Sequence, residues 1–478
     1  MTTAPLHCTA YIDGEFRPGN SQLTRENPAT GEVAAIADRA DQRTIDDAVA
    51  AAAGAFTTWS RTTGFERGGL LRGLAEAALD RLDDLATSMT KEQGKPLNEA
   101  RGEVRKFAKA MQFYGEEAER ILGQTIPNES TEYLSVVQRE PVGPVAAITP
   151  WNYPVELIGW KLGGALGAGC TIVVKASEYT PGAAHLLAEC AHAAGFPPGV
   201  VNVVHGAGEV GAKLAGHPDI AKVAFTGSNA TGQRLFQTVS GVTQLTMELG
   251  GSCPMIVSRH ADLDLAAAGA VRRSFRNAGQ ICIAINRIYV EQPVYRDFTD
   301  RVVDLTRALT VADGYAHPDA DVGALTMAEI RDRTAEHVSD AVNRGATQLT
   351  GVQKHPSGGL FRYPAVVVDA AADSLLMTEE TFGPAVGVAA VDSLDEAVRQ
   401  ANSVEGGLAA YLYTEDLGET MRIGRDLDFG NVAVNNVDAG IINAPYGGRR
   451  ESGFGTEHGR EGLEGYLQHK HLRIRHSH

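Results

Sequence analysis

Cys282 closes the run Phe275-Arg276-Asn277-Ala278-Gly279-Gln280-Ile281-Cys282, about thirty residues after Glu248-Leu249-Gly250-Gly251. A thiolate can add to a carbonyl carbon, and a carboxylate can activate the water that later removes the acyl group. A free cysteine is ordinarily a small buried hydrophobe. Asn277, Gly279 and Gln280 make an unusually polar and flexible entry for such a thiol. Glu248 lies between Met247 and Leu249-Gly250-Gly251, a poor setting for a solvated surface carboxylate. Two further runs flank the pair: Thr149-Pro150-Trp151-Asn152-Tyr153-Pro154 and Glu379-Glu380-Thr381-Phe382-Gly383-Pro384. The Asn152 amide is a candidate donor to an oxyanion formed at Cys282, together with the Cys282 backbone N–H.

These residues must be positioned by a large α/β scaffold. At 478 residues the chain exceeds one compact core, and two or three domains are expected. Short β-rich runs (Val145–Ile148, Thr171–Val174, Val200–Val204, Lys222–Phe225) alternate with Ala-rich helical stretches such as Gly182–Ala194. That rhythm predicts an open, mostly parallel sheet. A second alternating block runs from Asp262 to about Phe429. It holds strands near Arg287–Val290, Ala365–Val368 and Gly387–Val391, and helices near Leu265–Phe275, Tyr295–Ala308, Met327–Asn343 and Leu394–Ala401. Thr44 to about Glu117 reads as mainly helical, with apolar residues three and four apart. Two βα blocks predict two α/β domains with a cleft between them.

Composition narrows the partners. A net charge of −16, from 59 acids and 43 bases, disfavours nucleic acid or an anionic membrane. A small anionic substrate remains compatible, because one buried Arg can dominate a local field. Cys8, Cys170, Cys190, Cys253 and Cys282 show no CxxC spacing, so neither a disulfide framework nor a zinc site is expected. The start Met1-Thr2-Thr3-Ala4-Pro5 lacks an export pattern and no apolar run is long enough for a membrane span, so a cytoplasmic location is expected. Histidines cluster near the end (His469, His471, His476, His478), but no carboxylate or cysteine completes a ligand set. No metal is expected.

Two stretches compete as nucleotide motifs. Gly206-Ala207-Gly208-Glu209-Val210-Gly211 matches GxGxxG after a strand, but the acid needed about twenty residues on is missing from Phe225 to Thr231. Gly227-Ser228-Asn229-Ala230-Thr231-Gly232 resembles half a P-loop, with Gln233-Arg234 where Lys-Ser/Thr should stand, so ATP is not expected. The second stretch still ends a strand and opens a helix, whose free N–H groups suit a diphosphate. Ser228 adds a hydroxyl donor.

The four motifs, in this order and spacing, resemble the aldehyde dehydrogenase superfamily from about Tyr11 to the C-terminus. The resemblance implies a Rossmann-like NAD domain (residues 1–123 and 141–248) and a catalytic domain (249–440). It also implies a small β arm for oligomerisation (124–140 and 441–478), giving a homodimer or homotetramer by sheet extension. Cys282 is implied as nucleophile, Asn152 as oxyanion donor and Glu248 as base for thioester hydrolysis; members that acylate coenzyme A typically lack that carboxylate. The Phe-Thr-Gly-Ser turn with Gly227 and Ser228 is implied to carry the pyrophosphate, and Gly208 to lie near the adenine. Lys175 and Glu178 would meet the adenosine ribose, Glu380 the nicotinamide ribose and Phe382 the nicotinamide, with Thr149, Trp151 and Leu249 also on the cofactor. An acid at Glu178 repels a 2′-phosphate, which favours NAD over NADP. Lys161 and Glu457 stand where some members run a proton path.

Phe275-Arg276-Asn277 is the form seen in succinate-semialdehyde dehydrogenases, where the Arg contacts the substrate carboxylate. A guanidinium near the thiol could hold an anionic tail in bidentate fashion. The chain departs from that group in three places. A second Arg after the Trp-Asn motif is replaced by Gly159-Trp160-Lys161, a second cysteine by Ala284, and a tail-side serine by Ile441-Ile442-Asn443. Tyr153 and Trp160 would line the substrate tunnel. The expected substrate is a short semialdehyde or hydroxyaldehyde bearing an acidic group. The alternatives are a broad dehydrogenase of neutral aliphatic or aromatic aldehydes, a structural ion pair at Arg276, and a cysteine hydrolase.

Overall fold

The structure is a computed structural model that describes residues 4–239 and 241–476. The expected α/β class is observed, built on two open sheets. The first has eight strands, in the order Gly453–Phe454, Gln244–Glu248, Lys222–Thr226, Val145–Ile148, Ile172–Lys175, Val201–Val204, Ala10–Ile12, Glu15–Arg17. Its five central strands are parallel. From Val145–Ile148 the chain steps one way to Ile172–Lys175 and Val201–Val204, then crosses to Lys222–Thr226 and Gln244–Glu248 on the other side. The order therefore reverses beside Val145–Ile148, and the crevice beyond the strand C-termini at such a reversal is where open α/β sheets bind ligands. Thr149 to Asn152 and Gly227 to Ser228 leave those strand ends directly.

The second sheet has seven strands, in the order Thr347–Gln348, Ala365–Val368, Ala385–Val391, Ile285–Glu291, Cys253–Val257, Ala409–Tyr413, Asn431–Val434. All but the first pair in parallel. Its inner strands are buried along most of their length, the near-continuous apolar pattern that helices on both faces demand. Cys282 lies three residues before Ile285, in the loop that feeds the central strand.

The helix Pro154–Ala168 starts with Pro at its first turn and stops at Gly169, whose φ of +97° suits glycine. It is almost wholly buried against the long helix Leu97–Ala118. A Cβ on Gly163 would sit 2.2 Å from the Tyr114 ring, so only glycine lets the two helices approach this closely. The helical region from Glu66 to Gln93 divides at Arg81 into Gly64–Asp80 and Leu82–Gln93. A reciprocal Thr63–Glu66 capping box fixes the start of the first.

A third sheet joins Gln124–Ile126, Tyr133–Pro141 and the terminal strand Leu467–Arg475. The register runs from Leu467 opposite Pro141 to Arg475 opposite Tyr133. Of the segment 441–476, only this last strand lies in the arm. Gly453–Phe454 is an edge strand of the eight-stranded sheet, and Gly459–Glu464 is a helix packed on Pro154–Ala168. An additional small sheet (Leu6–Cys8, Val33–Asp38, Gln22–Glu26) precedes the first long helix.

Candidate active site

The loop before Cys282 is held in an uncommon conformation. Asn277, Ala278 and Gly279 have φ of +51°, +54° and +75°. Left-handed backbone at a non-glycine residue costs about 1–2 kcal/mol and persists only where neighbours enforce it. Here they do. Gln93 Nε2 donates to Asn277 Oδ1 at 2.9 Å, and Asn277 Nδ2 donates to the Asn152 and Gln280 carbonyls at 3.0 and 3.2 Å. Gln280 Nε2 donates to Asn277 O, and its Oε1 accepts from Thr326 N, both at 3.0 Å. A Cβ on Gly279 would lie 2.3 Å from the Gly383 carbonyl, so the Glu379–Pro384 motif abuts the loop before Cys282. The polar entry to Cys282 is thus a rigid bracket, with Asn277 and Gln280 almost fully buried.

Asn152 is fixed from the same bracket. Its Nδ2 donates to Gln280 O at 3.0 Å, and its carbonyl accepts from Lys95 Nζ at 2.7 Å as well as from Asn277. Lys95 is itself paired with Glu103, both side chains being fully buried. Glu103 Oε1 accepts from Val155 and Glu156 N–H groups at 2.8 and 3.1 Å, which satisfies the start of the helix after the Trp-Asn motif.

One cavity of about 300 Å³ joins these parts. Cys282, Asn152 and Glu248 all line it. So do Trp151, Gly227, Ser228, Leu249, Glu380 and Phe382 on one side and Tyr153, Trp160 and Arg276 on the other. Thr149, Lys175, Glu178 and Gly208 lie outside it, along neighbouring strand ends of the eight-stranded sheet. Thr149 N donates to Lys175 O at 3.2 Å, and Lys175 Nζ reaches Glu178 Oε2 at 3.4 Å.

The half-buried Cys282 thiol is pushed up to about 12, by burial first and then by the nearby carboxylates; its contact with Tyr446 acts the other way. Glu248 is buried, and neither of its carboxylate oxygens has a hydrogen-bond partner among the described residues. Burial raises it well above the usual carboxylate range, Glu457 adds to the rise, and Lys161 opposes it. Lys161 Nζ donates to Glu457 Oε1 and Thr226 Oγ1, both at 2.6 Å. A buried carboxyl without fixed partners can exchange a proton with a water in the cavity.

The other side of the cavity suits a dinucleotide. Glu380 packs on the Gly250-Gly251 turn, where a Cβ on Gly250 would meet its carboxylate at 2.3 Å, and burial pushes it to about 7. Just outside the cavity, one residue before Pro150 of its lining, Thr149 Oγ1 is buried with no partner among the described residues. Ser228 caps the helix Asn229–Thr238, and Gly227 and Ser228 line the cavity just before its start. Trp151 and Phe382 meet edge to face at 5.4 Å. These groups offer a hydroxyl, a carboxylate for a ribose and a helix N-terminus for phosphate, a set that fits NAD or NADP.

On the tail side Arg276 donates through Nε to Glu99 Oε1 at 3.1 Å, and Tyr153 OH donates to the same oxygen at 2.9 Å. No protein acceptor holds its two terminal nitrogens among the described residues. Trp160 lies 3.7 Å, centroid to centroid, from the His458 ring, and Lys106 pairs with Glu156 at 2.6 Å. Tyr446, Lys95, Glu103, Glu99 and His458 were not expected from the sequence. Gln93-Gly94-Lys95-Pro96 did offer a signal: a polar, Gly/Pro-marked break inside a helical region. Among the described residues, no group of three or more His, Cys, Asp or Glu side chains is placed to hold a metal ion.

Comparison with known proteins shows the family and the fold. The aldehyde dehydrogenase family profile matches residues 16–472. The chain is 40% identical over 467 residues to the 3-sulfolactaldehyde dehydrogenase of Pseudomonas putida, covering 97% of this chain and 96% of that one. It is 39% identical over 472 residues to the NADP-dependent succinate-semialdehyde dehydrogenase of Escherichia coli, covering 97% of each. The crystal structure of succinate-semialdehyde dehydrogenase from Burkholderia pseudomallei superposes with a TM-score of 0.96 at 38% identity, over 98% of each chain. This chain belongs to the aldehyde dehydrogenase family.

Proposed function

We propose that the protein oxidises short anionic aldehydes, semialdehydes or their hydroxylated analogues, to carboxylic acids, with NAD preferred over NADP. The observation that supports this reading is one cavity lined by Cys282, Asn152 and Glu248 together with Arg276 and Glu380. The Cys282 sulfur adds to the aldehyde carbon, forming a C–S bond and turning the carbonyl oxygen into an alkoxide. The Asn152 amide and the Cys282 N–H stabilise that oxygen, a contribution of about a hundredfold in rate for one such donor. When bound, the oxidised nicotinamide supplies a cationic ring that accepts the hydride from the same carbon. A thioester on Cys282 remains. Glu248 takes a proton from water, the hydroxide adds to the acyl carbon, and the sulfur leaves as thiolate.

Arg276 would hold the distal acid through its two terminal nitrogens while Nε stays on Glu99. The Glu99 and Tyr153 contacts also favour a second reading, in which Arg276 is a structural ion pair and the enzyme takes neutral aldehydes. Cofactor choice rests on Glu178, whose carboxylate beside Lys175 would repel a 2′-phosphate. Two relatives carry NADP in their names, so the cofactor arm of the test below discriminates directly between the two dinucleotides. A hydrolase is disfavoured because the recorded side-chain partner of the Cys282 sulfur is Tyr446, not a histidine. No helix among the described residues is long and apolar enough to cross a membrane. We take the cytoplasm as the compartment, in line with five free cysteines, and association through the β arm.

The test is a panel of aldehydes of equal length differing only in terminal charge, run in parallel with NAD and NADP. Higher kcat/KM for the acidic member with NAD supports the proposal. Equal values across the panel support the neutral-aldehyde reading.

A further inference from the structure

We propose that Tyr446 is a catalytic residue, whose phenol O–H donates to the Cys282 sulfur and stabilises the thiolate as it forms. The inference rests on the reading of Cys282 as nucleophile. The two atoms lie 3.6 Å apart, an ordinary separation for a hydrogen bond to sulfur. A phenol is a stronger donor than a thiol, and a thiolate can only accept, so the direction is fixed once the sulfur is charged.

The surroundings of the sulfur make this contact matter. Glu380, Glu248 and Glu156 face Cys282 and each disfavours a negative sulfur. Cys253, whose thiol bonds to the Cys282 carbonyl at 3.4 Å, is itself buried and neutral. The cations lining the cavity have other partners: Lys161 is with Glu457 and Thr226, Lys106 with Glu156, Arg273 with Asp438, Arg333 with the Thr381 carbonyl, and Arg276 with Glu99 through Nε. Among the described residues, Tyr446 is thus the side chain in contact with the sulfur that favours its charged form.

The phenol is held still and kept protonated. Its ring stacks on His458 with centroids 4.8 Å apart and planes 19° apart, and His458 packs in turn on Trp160. Burial pushes His458 down to about 3, so the stack carries no charge near neutral pH. Tyr446 and Glu457 exchange both backbone hydrogen bonds at 2.8 Å. Burial raises the phenol well above its ordinary value, with Cys282, Glu248 and Cys253 adding to the rise, so it remains a donor throughout the working pH range. The thiol gives its proton to water in the cavity, tyrosine keeps its own, and no electrons move until the sulfur attacks.

Tyr446→Phe deletes one oxygen and leaves the ring stack in place. The experiment is the rate of iodoacetamide alkylation of Cys282 against pH, in the full-length enzyme with and without NAD, using Cys282→Ala as the blank. A hydrogen bond to a charged group shifts the thiol by about one unit, so Tyr446→Phe should be alkylated about tenfold more slowly below the midpoint. Because burial pushes the thiol up to about 12, both profiles should rise with pH in parallel through the neutral and mildly alkaline range, Tyr446→Phe lower throughout, and NAD affinity should be unchanged. Superimposable profiles, or a fall in NAD affinity that parallels the lost alkylation, would overturn the role of Tyr446. Turnover by Cys282→Ala would instead overturn the nucleophile reading, which the Tyr446→Phe profiles do not test.

Discussion

At the scale of single residues, burial sets the chemistry. Cys282, Glu248 and Glu380 all sit above their ordinary values because a low-dielectric cavity penalises charge. In the proposed mechanism the thiol and the Glu248 carboxyl must each lose a proton to act, and burial makes both hold it more tightly than in water. Turnover is therefore expected to rise from about pH 7 to about pH 9; a profile that falls over that range would contradict the assignment. Arg276→Leu should raise KM for succinic semialdehyde about tenfold to a hundredfold, the loss of charge-assisted hydrogen bonds, while a neutral aldehyde of equal length is little affected. Equal effects on both substrates would return Arg276 to a purely structural role. Cys282 and Glu248, which share one cavity, were legible in two different signals: Asn277, Gly279 and Gln280 make a polar entry to the thiol, whereas Glu248 is an acid between apolar Met247 and Leu249, a poor setting for a surface carboxylate. Tyr446 was not, since a tyrosine before Gly447-Gly448 gives no hint that its hydroxyl meets a thiol distant in sequence.

At the scale of elements, the site depends on segments that never touch substrate. Lys95 bridges the Asn152 carbonyl and Glu103, and Glu103 in turn satisfies the helix start at Val155 and Glu156. Removing one partner of a buried pair leaves the other charge uncompensated, at a cost of about 3–5 kcal/mol. Lys95→Met should therefore lower thermal stability markedly. The double variant Lys95→Met/Glu103→Gln should recover much of that loss, yet keep a reduced kcat because the Asn152 carbonyl has lost its donor. Recovery of kcat together with stability would show that Lys95 does not position Asn152. The strands and helices read from the sequence in the two βα blocks lie within a residue or two of their observed bounds, Ala365–Val368 and Leu394–Ala401 among them, but the strands Gln244–Glu248, Cys253–Val257, Ala409–Tyr413 and Asn431–Val434 were not read. The left-handed run at Asn277 and Ala278 was not readable, as tertiary hydrogen bonds enforce it against local preference.

At the scale of the whole molecule, the switch point of the eight-stranded sheet and the loop feeding the seven-stranded one meet across a single cavity. The alternation of strand and helix announced both sheets. It could not announce the N-terminal strands between Leu6 and Asp38, most of which are only three residues long, nor that residues 446–458 turn back into the site. The terminal strand Leu467–Arg475 is exposed along nearly its whole length and pairs on one side with Tyr133–Pro141. Such an edge invites pairing with another copy. Leu472→Lys combined with Ile474→Lys should shift the sedimenting species to lower mass while leaving the fold intact by circular dichroism. An unchanged mass would place association elsewhere.

The central claim is that the acyl group passes through the Cys282 sulfur and waits there for Glu248. Glu248→Gln enzyme, mixed with NAD and succinic semialdehyde, quenched in acid and digested, should yield the peptide containing Cys282 carrying the succinyl mass. A succinyl group on another side chain, or on none, while NADH has formed in an amount equal to the enzyme, would contradict the account.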